Sequence, residues 1–319
     1  MTSAPRAPLG PVALVVNPAA TRSGTAVRAE VARALAPLGL EWSLVTGGPG
    51  DAARLAREAA EQGAAVVVSL GGDGVAGEVA GALAGGPVAM APLPGGNANV
   101  FSRAIGWPNS TRSALPLLAA ALAGGRVREA ALGLLRLGGA DGPERVFAVN
   151  AGIGLDAATV EWIEARPRTK RRLRQAGFIL GAAIAVARSG RAPRLRAIAD
   201  GGEPVLARAV LSACGTPYTY LGRRPLDLAP GAAFDGRLAW VALTRLRPQE
   251  LSRLALRAAR GADLPIGSEA LRGGSVLRDL LVESDAPAPV QADGEPLGRH
   301  ERVRVSPGPV LRAVEPHPG

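Results

Sequence analysis

Gly71-Gly72-Asp73-Gly74 stands between a β-branched apolar run, residues 64–70, and a stretch of helical spacing, residues 75–83. Strand, glycine turn and helix start together make an anion cradle. Glycines tolerate positive φ and close backbone approach, and the unbonded N–H groups of a helix start favour a phosphate. Asp73 is the odd member, because a carboxylate repels phosphate unless a cation or a proton-bearing substrate lies between them. The turn therefore suits a nucleotide site that uses a metal, or an acid/base residue. Two glycines in such a turn also arise for steric reasons alone, and these four residues leave both readings open.

The neighbouring elements must position this turn. Val12–Val16 reads as a strand closing on Asn17-Pro18, and Thr25–Leu35 as a helix stopped by Pro37 and Gly39. Residues 41–45 form a second strand ending at Thr46-Gly47-Gly48-Pro49-Gly50, and Asp51 is expected to cap a helix over 52–62. A fourth strand over 88–91 runs into Pro92-Leu93-Pro94-Gly95-Gly96-Asn97-Ala98-Asn99. This alternation predicts an α/β fold with a doubly wound, mostly parallel sheet whose ligands sit at the strands' carboxyl ends. The turns at Asn17, Thr46, Asp73 and 94–99 all open at that edge. Four polar turns in one crevice are more informative than any one of them, although Asn97 and Asn99 equally suit the capping of the next helix.

With 319 residues the chain has room for two domains. Its formal charge of +10 suits nucleic acid, an anionic membrane or a phosphorylated ligand without choosing among them. Aromatic side chains are only 3% of the sequence and no reader motif is present, which argues against a nucleic-acid binder. Cys214 is the single cysteine, so an internal disulfide and a multi-cysteine zinc site are excluded. Only His300 and His317 could supply imidazole to a metal, and both lie near the C-terminus. No apolar run reaches the ~18 residues of a membrane span, and the N-terminal run is short and becomes a strand; the expectation is a cytoplasmic protein.

After a helix over 110–122 the pattern changes to alternating segments at 126–137, 144–149, 195–199, 204–212, 237–243, 275–283 and 303–305. These predict a second, mainly antiparallel β-rich domain, with boundaries at 1–125 and 126–300. Helices are expected over 156–165 and 170–188. The second is preceded by a basic cluster of Arg166, Arg168, Lys170, Arg171, Arg172 and Arg174, which suits an anionic membrane surface or a solvated helix start.

Several ordered segments across nearly the whole chain resemble the diacylglycerol-kinase catalytic family of lipid kinases, relatives of sphingosine and ceramide kinases and, more distantly, of NAD kinases. Asn17-Pro18 matches its first nucleotide-contact turn, and Gly71-Gly72-Asp73-Gly74 its glycine-rich signature. Pro94 to Arg103 is similar to its second signature, with Gly96 and Asn99 in register. Residues 229–238 resemble its Asp-containing turn, and Gln291-Ala292-Asp293-Gly294-Glu295 its late motif. The resemblance implies an NAD-kinase-like nucleotide domain, a β-sandwich-like second domain with a cleft between them, and a last segment, from about residue 300, that returns to the first domain.

It further implies ATP-dependent, magnesium-assisted phosphorylation of a lipid hydroxyl, diacylglycerol or a related lipid, at the inner membrane surface, and leaves room for a homodimer. On this reading Asn17, Pro18, Thr46, Gly71, Gly72, Gly74, Val75, Gly96, Asn97 and Asn99 surround the nucleotide. Asp293 is the candidate general base, supported by Glu295 and Asp73, and Asp235 a magnesium ligand. Glu295 is expected on the same side of a strand as Asp293, while Asp293-Gly294 and Asp235-Gly236 also read as plain turns. Three positions depart from the family pattern: Val75 and Val100 replace a threonine and an aspartate, and Phe234 replaces the first of two aspartates. Two other readings stand beside the lipid kinase: a catalytically weakened nucleotide- or lipid-binding scaffold, and an NAD kinase-type enzyme.

Overall fold

The computed structural model describes residues 7–166, 193–221, 223–245, 248–260, 262 and 264–316. The expected basic-then-apolar helix over 170–188, with Arg168, Lys170, Arg171, Arg172 and Arg174, lies outside the described residues. The chain divides into two compact units, residues 1–131 with 309–319, and residues 132–308.

Unit 1 is built on β1 (Val12–Val16), β2 (Leu40–Val45), β3 (Val66–Gly71) and β4 (Ala89–Pro94). Every residue of β1, β3 and β4 is buried, as continuous apolar runs require of parallel strands covered on both faces. Edge strand β2 instead alternates half-buried and exposed residues. The strands are parallel in the order β2-β1-β3-β4. The last part of β16 (Glu295–Val314) joins the far side of β4, pairing Arg312 with Ala89 and Ala313 with Met90.

Helices α1 (Thr25–Leu35), α2 (Asp51–Glu61), α3 (Asp73–Leu83), α4 (Val100–Ala104) and α5 (Thr111–Ala123) link these strands. Right-handed crossovers place α1 on one face and α2 with α3 on the other, because the chain steps outward from β1 to β2 and then back past β1 to β3. The packing agrees: α2 lies on α3, and α1 on α5. The reversal of strand order makes the carboxyl ends of β1 and β3 the switch point of the sheet, where ligands of such folds settle.

Asp51 does not cap α2 as expected. The N-cap is Gly50 in left-handed conformation, and Asp51, already in the first turn, accepts the N–H groups of Gly47 and Gly48 at 2.8 and 3.0 Å. Those bonds hold its carboxyl below the ordinary value, Gly47 contributing most. Glu78 of α3 supplies the cap, accepting from Gly50 N and Ala52 N.

Unit 2 is antiparallel. Its strands are the distal part of β5 (Val127–Leu137), β6 (Glu144–Phe147), β7 (Asn150–Gly154), β8 (Leu195–Ala199), β9 (Val205–Ala207), β10 (Ala209–Ala213), β11 (Thr219–Leu221), β12 (Arg224–Leu226), β13 (Leu238–Leu243), β14 (Leu271–Val276), β15 (Leu280–Ala292) and most of β16. Helices α6 (Leu155–Glu164) and α7 (Pro248–Ala259) interrupt them. Strand β15 serves two neighbourhoods: its first residues pair β8 and its last pair β7, with a register break between Glu283 and Ala288. The β7 end continues through β10, β13 and β14. On β5, Gly133 faces Phe147 of β6, and a Cβ there would sit 1.9 Å from the buried ring, so the missing side chain makes the aromatic's seat.

Candidate functional site

In unit 1 the expected turns come together at the carboxyl ends of β1–β4. Asn17 N donates to Leu70 O, and buried Thr46 donates its N–H to Val16 O, which sets the first turn beside the end of β3 and the second beside the end of β1. Helix α3 begins at Asp73, earlier than its apolar spacing suggested, with Gly72 as N-cap. Asp73, Gly74 and Val75 thus form its first turn, where amide N–H groups have no partner within the helix. Val75 is buried and packs beneath Gly71, where a Cβ would meet Val75 Cβ at 2.8 Å.

The turns after β3 and β4 press backbone against backbone. Gly95 N donates to Gly71 O at 2.7 Å, and a Cβ on Gly96 would come within 2.6 Å of Gly72 Cα. Gly71, Gly95 and Gly96 therefore have a packing reason that involves no ligand, whereas a Cβ on Gly72 would meet only Gly96 Cα at an ordinary 3.5 Å. Asn99 adopts the left-handed conformation at the N-cap of α4 without capping it through its side chain. Its buried amide closes the turn instead, accepting from Gly96 N at 2.8 Å and donating to Gly96 O and Asn109 Oδ1. Asn97 is exposed on the same turn.

Asp73 bridges the two turns, its carboxylate accepting from Phe101 N at 3.2 Å at the start of α4. Burial pushes its pKa up, opposed by the N–H groups of Phe101, Val100 and Asn99. A raised folded value means that stability from this group is present below the unfolded value of about 4 and is lost as pH rises through the folded one. Asparagine keeps an acceptor for Phe101 N–H and removes the buried charge. Asp73→Asn is therefore expected to retain wild-type stability at neutral pH in urea titrations and to flatten its decline above pH 4. A loss of several kcal/mol would show that the charge itself holds the turns together.

Unit 2 holds a second cluster. Asp293 and Gly294 form the turn between β15 and β16, both with positive φ. Asp293 is therefore not on a strand with Glu295: Ala292 pairs with Glu295 across a two-residue hairpin. The hairpin is laced to the start of β7 at four points. Asp293 N donates to Asn150 O, while its carboxylate accepts from Ala148 N at 2.5 Å, Val149 N at 2.8 Å and Asn150 N at 3.1 Å. Glu295 accepts from the Arg145 guanidinium at 2.6 Å.

Sequence reasoning missed the group behind this hairpin. Gln291, fully buried, accepts Gly294 N–H on Oε1 and donates through Nε2 to Asp156 at 2.9 Å. Asp156 also takes the Tyr218 hydroxyl at 2.5 Å, and Asn150 Nδ2 donates to Tyr218 O. Burial raises the pKa of Asp156, against the Tyr218 and Gln291 bonds that lower it, and burial beside this carboxyl lifts the Tyr218 phenol well above its ordinary value. A Cβ on Gly152 would fall 1.9 Å from Asp156 Oδ2, so that glycine is required by the network. The available signal was a repeat of the earlier grammar: strand Asn150–Gly154, a glycine with φ of +82°, then a helix with an acid in its first turn.

Asp235 stands apart from this cluster's hydrogen bonds. Its carboxylate accepts from the Arg237 side chain at 2.6 and 2.9 Å and from Arg237 N at 3.1 Å, which holds its pKa below the ordinary value. Phe234 before it is buried against Gly215. Among the described residues no group of three or more His, Cys, Asp or Glu side chains could hold a metal ion. The ion-paired Asp235 does not fit a magnesium ligand as it stands. No helix among the described residues is long and apolar enough to cross a membrane.

Residues 11–135 match the sequence profile of the diacylglycerol kinase catalytic domain. Curated relatives include proteins named "Probable lipid kinase YegS-like", one from Cronobacter sakazakii, 47% identical over 77 residues, and one from Pseudomonas aeruginosa, 43% identical over 99. These alignments cover 23% and 30% of this chain, and the chain spans only 26% and 31% of those relatives' length. Across 96% of the chain the fold is similar to the crystal structure of a diacylglycerol kinase from Bacillus anthracis, covering 97% of it, with TM-score 0.68 and 18% identity. Yeast NADH kinase in complex with NADH is a more distant likeness, TM-score 0.52 and 12% identity over 98% of this chain and 88% of that one. The expected fold, an α/β nucleotide-type unit with a β-rich antiparallel unit, is thus the observed one. Over residues 11–135 this chain is thus similar in sequence to the diacylglycerol kinase catalytic domain.

Proposed function

We propose that the chain is a lipid kinase that transfers the γ-phosphate of ATP to a hydroxyl of diacylglycerol or a related lipid at an anionic membrane surface. The observation that carries the reading is the pair of glycine turns pressed together at the carboxyl ends of β3 and β4, with the first turn of α3 among them. Amide N–H groups and a helix start suit the nucleotide's phosphates, and the residues there fit that ligand. Asn17, Thr46, Asn97 and Asn99 are assigned to its surroundings.

Asp293 is assigned as proton acceptor. The lipid oxygen bonds to the γ-phosphorus, its proton passes to the Asp293 carboxylate, and ADP leaves with the bridging oxygen. The three backbone N–H bonds fix that carboxylate in one orientation, which pre-organisation requires. Glu295, paired with Arg145, is assigned to orient the turn. Magnesium enters only as the counter-ion of the nucleotide. A second reading, a scaffold that binds without turnover, is favoured by Val75 packed beneath Gly71 and by Asp235 held by Arg237.

The test is transfer of labelled γ-phosphate from ATP to diacylglycerol, monoacylglycerol, ceramide and sphingosine in mixed micelles, with NAD as soluble control. A labelled lipid supports the proposal and names the acceptor; labelled NAD alone replaces it with a dinucleotide kinase. ATP binding with no product supports the scaffold.

A further inference from the structure

Arg136 of β5 and Arg302 and Arg304 of β16, with Leu281 and the turn at 138–140, line a cavity of about 190 Å³ within unit 2. No carboxylate is in that lining. Acids steer the guanidiniums from outside it: Glu144 holds Arg136, Asp279 holds Arg304, and Glu283 stands 3.9 Å from Arg302. The last distance exceeds a hydrogen bond, so Arg302 has the loosest ion pair of the three. The turn adds backbone. Gly138 N donates to Arg302 O, and the N–H groups of Gly139 and Ala140 find no acceptor among the described residues.

Three guanidiniums and a glycine turn with unmet amides suit a tetrahedral oxyanion, because the planar fork of arginine binds two phosphate oxygens at once. Size narrows the occupant. Pockets for drug-sized ligands run to roughly 300–1,000 Å³, so this cavity admits a phosphate group and not a nucleotide. We infer that the cavity is a binding site for a single phosphate group, carried by a free anion or by the headgroup of an anionic phospholipid. The inference does not depend on kinase activity and can fail or hold separately from it.

The experiment uses the full chain, wild type and Arg302→Gln/Arg304→Gln, at two salt concentrations. One arm titrates inorganic phosphate and glycerol 3-phosphate by calorimetry. The other measures sedimentation with phosphatidylcholine vesicles, with and without phosphatidylglycerol. Arg302→Lys serves as second variant, since it keeps the charge, loses the fork, and disturbs only a partly exposed, loosely paired side chain. Saturable phosphate binding by wild type, roughly tenfold or more weaker in the double variant and weaker in Arg302→Lys, supports the inference with a soluble ligand. Vesicle binding that needs phosphatidylglycerol and falls likewise supports the headgroup source. Binding of neither ligand by wild type, or equal binding by the variants, overturns it and leaves the arginines as a surface ion-pair ladder.

Discussion

Asp293→Asn is expected to lower lipid phosphorylation by about 10²–10⁴-fold, the usual contribution of a positioned general base, with nucleotide affinity unchanged. Asparagine has the same shape but can offer only one oxygen. With that oxygen facing Val149 N and Asn150 N, its amide nitrogen confronts the Ala148 N–H, which loses its acceptor. One buried donor left unmet costs about 1–3 kcal/mol, so a modest stability loss accompanies the variant. The two effects separate by measurement. Urea unfolding gives the fraction folded at assay temperature, and turnover is then compared per folded molecule. A per-molecule rate equal to wild type would remove Asp293 as base and leave it as a fastener of the hairpin.

Gly96→Ala is expected to damage unit 1 more than any exposed substitution there. The new Cβ would lie 2.6 Å from Gly72 Cα and 3.1 Å from Asn99 Oδ1. The first neighbour is backbone, so no rotamer relieves the clash, and the turns after β3 and β4 must separate. Overpacking of this kind costs about 1–3 kcal/mol, and the separation also breaks the cradle, so ATP affinity falls together with stability. Gly72→Ala is the informative contrast. Its Cβ would meet only Gly96 Cα, at an ordinary 3.5 Å, and its φ of −88° suits any residue. If a phosphate approaches the backbone there, Gly72→Ala keeps wild-type urea stability and loses ATP affinity. Unchanged affinity in Gly72→Ala would show that no phosphate approaches the backbone at Gly72 and leave Gly71, Gly95 and Gly96 to turn packing.

Unit 1 was legible because each signal there is local. Val12–Val16 and Thr25–Leu35 were found to the residue, since a short β-branched run and a helix stopped by Pro37 and Gly39 are bounded by chemistry in the sequence itself. Unit 2 obeys longer-range rules. The expected segment 275–283 stops short of Pro287 and Pro289, yet β15 runs on through them, its ladder interrupted by register breaks between Glu283 and Ala288 and between Pro289 and Gln291. Asn150–Gly154 falls between the expected strand 144–149 and helix 156–165 without an assignment of its own, and is a buried strand because β10 and β15 flank it on both sides. Helix Pro248–Ala259 was not anticipated at all. In the site, Asp293 was visible as a motif, whereas the Gln291–Asp156–Tyr218 chain joins residues 62 to 135 positions apart, which no local pattern carries.

The return of β16 to β4 has a consequence for how the protein is made. Leu311, Ala313 and Val314 are buried in unit 1, and Glu315 N donates to Arg126 O, so the sheet of that unit is finished by residues made long after its other strands. Between the emergence of Ala131 and of Pro309 lie 309 − 131 = 178 residues. At about 5–20 residues per second, the flank of β4 waits roughly 10–40 s for its partner. During that interval a wholly apolar strand edge is open to other chains. Nascent-chain complexes stalled just short of residue 309 should therefore hold chaperones that release once residues 309–314 have emerged.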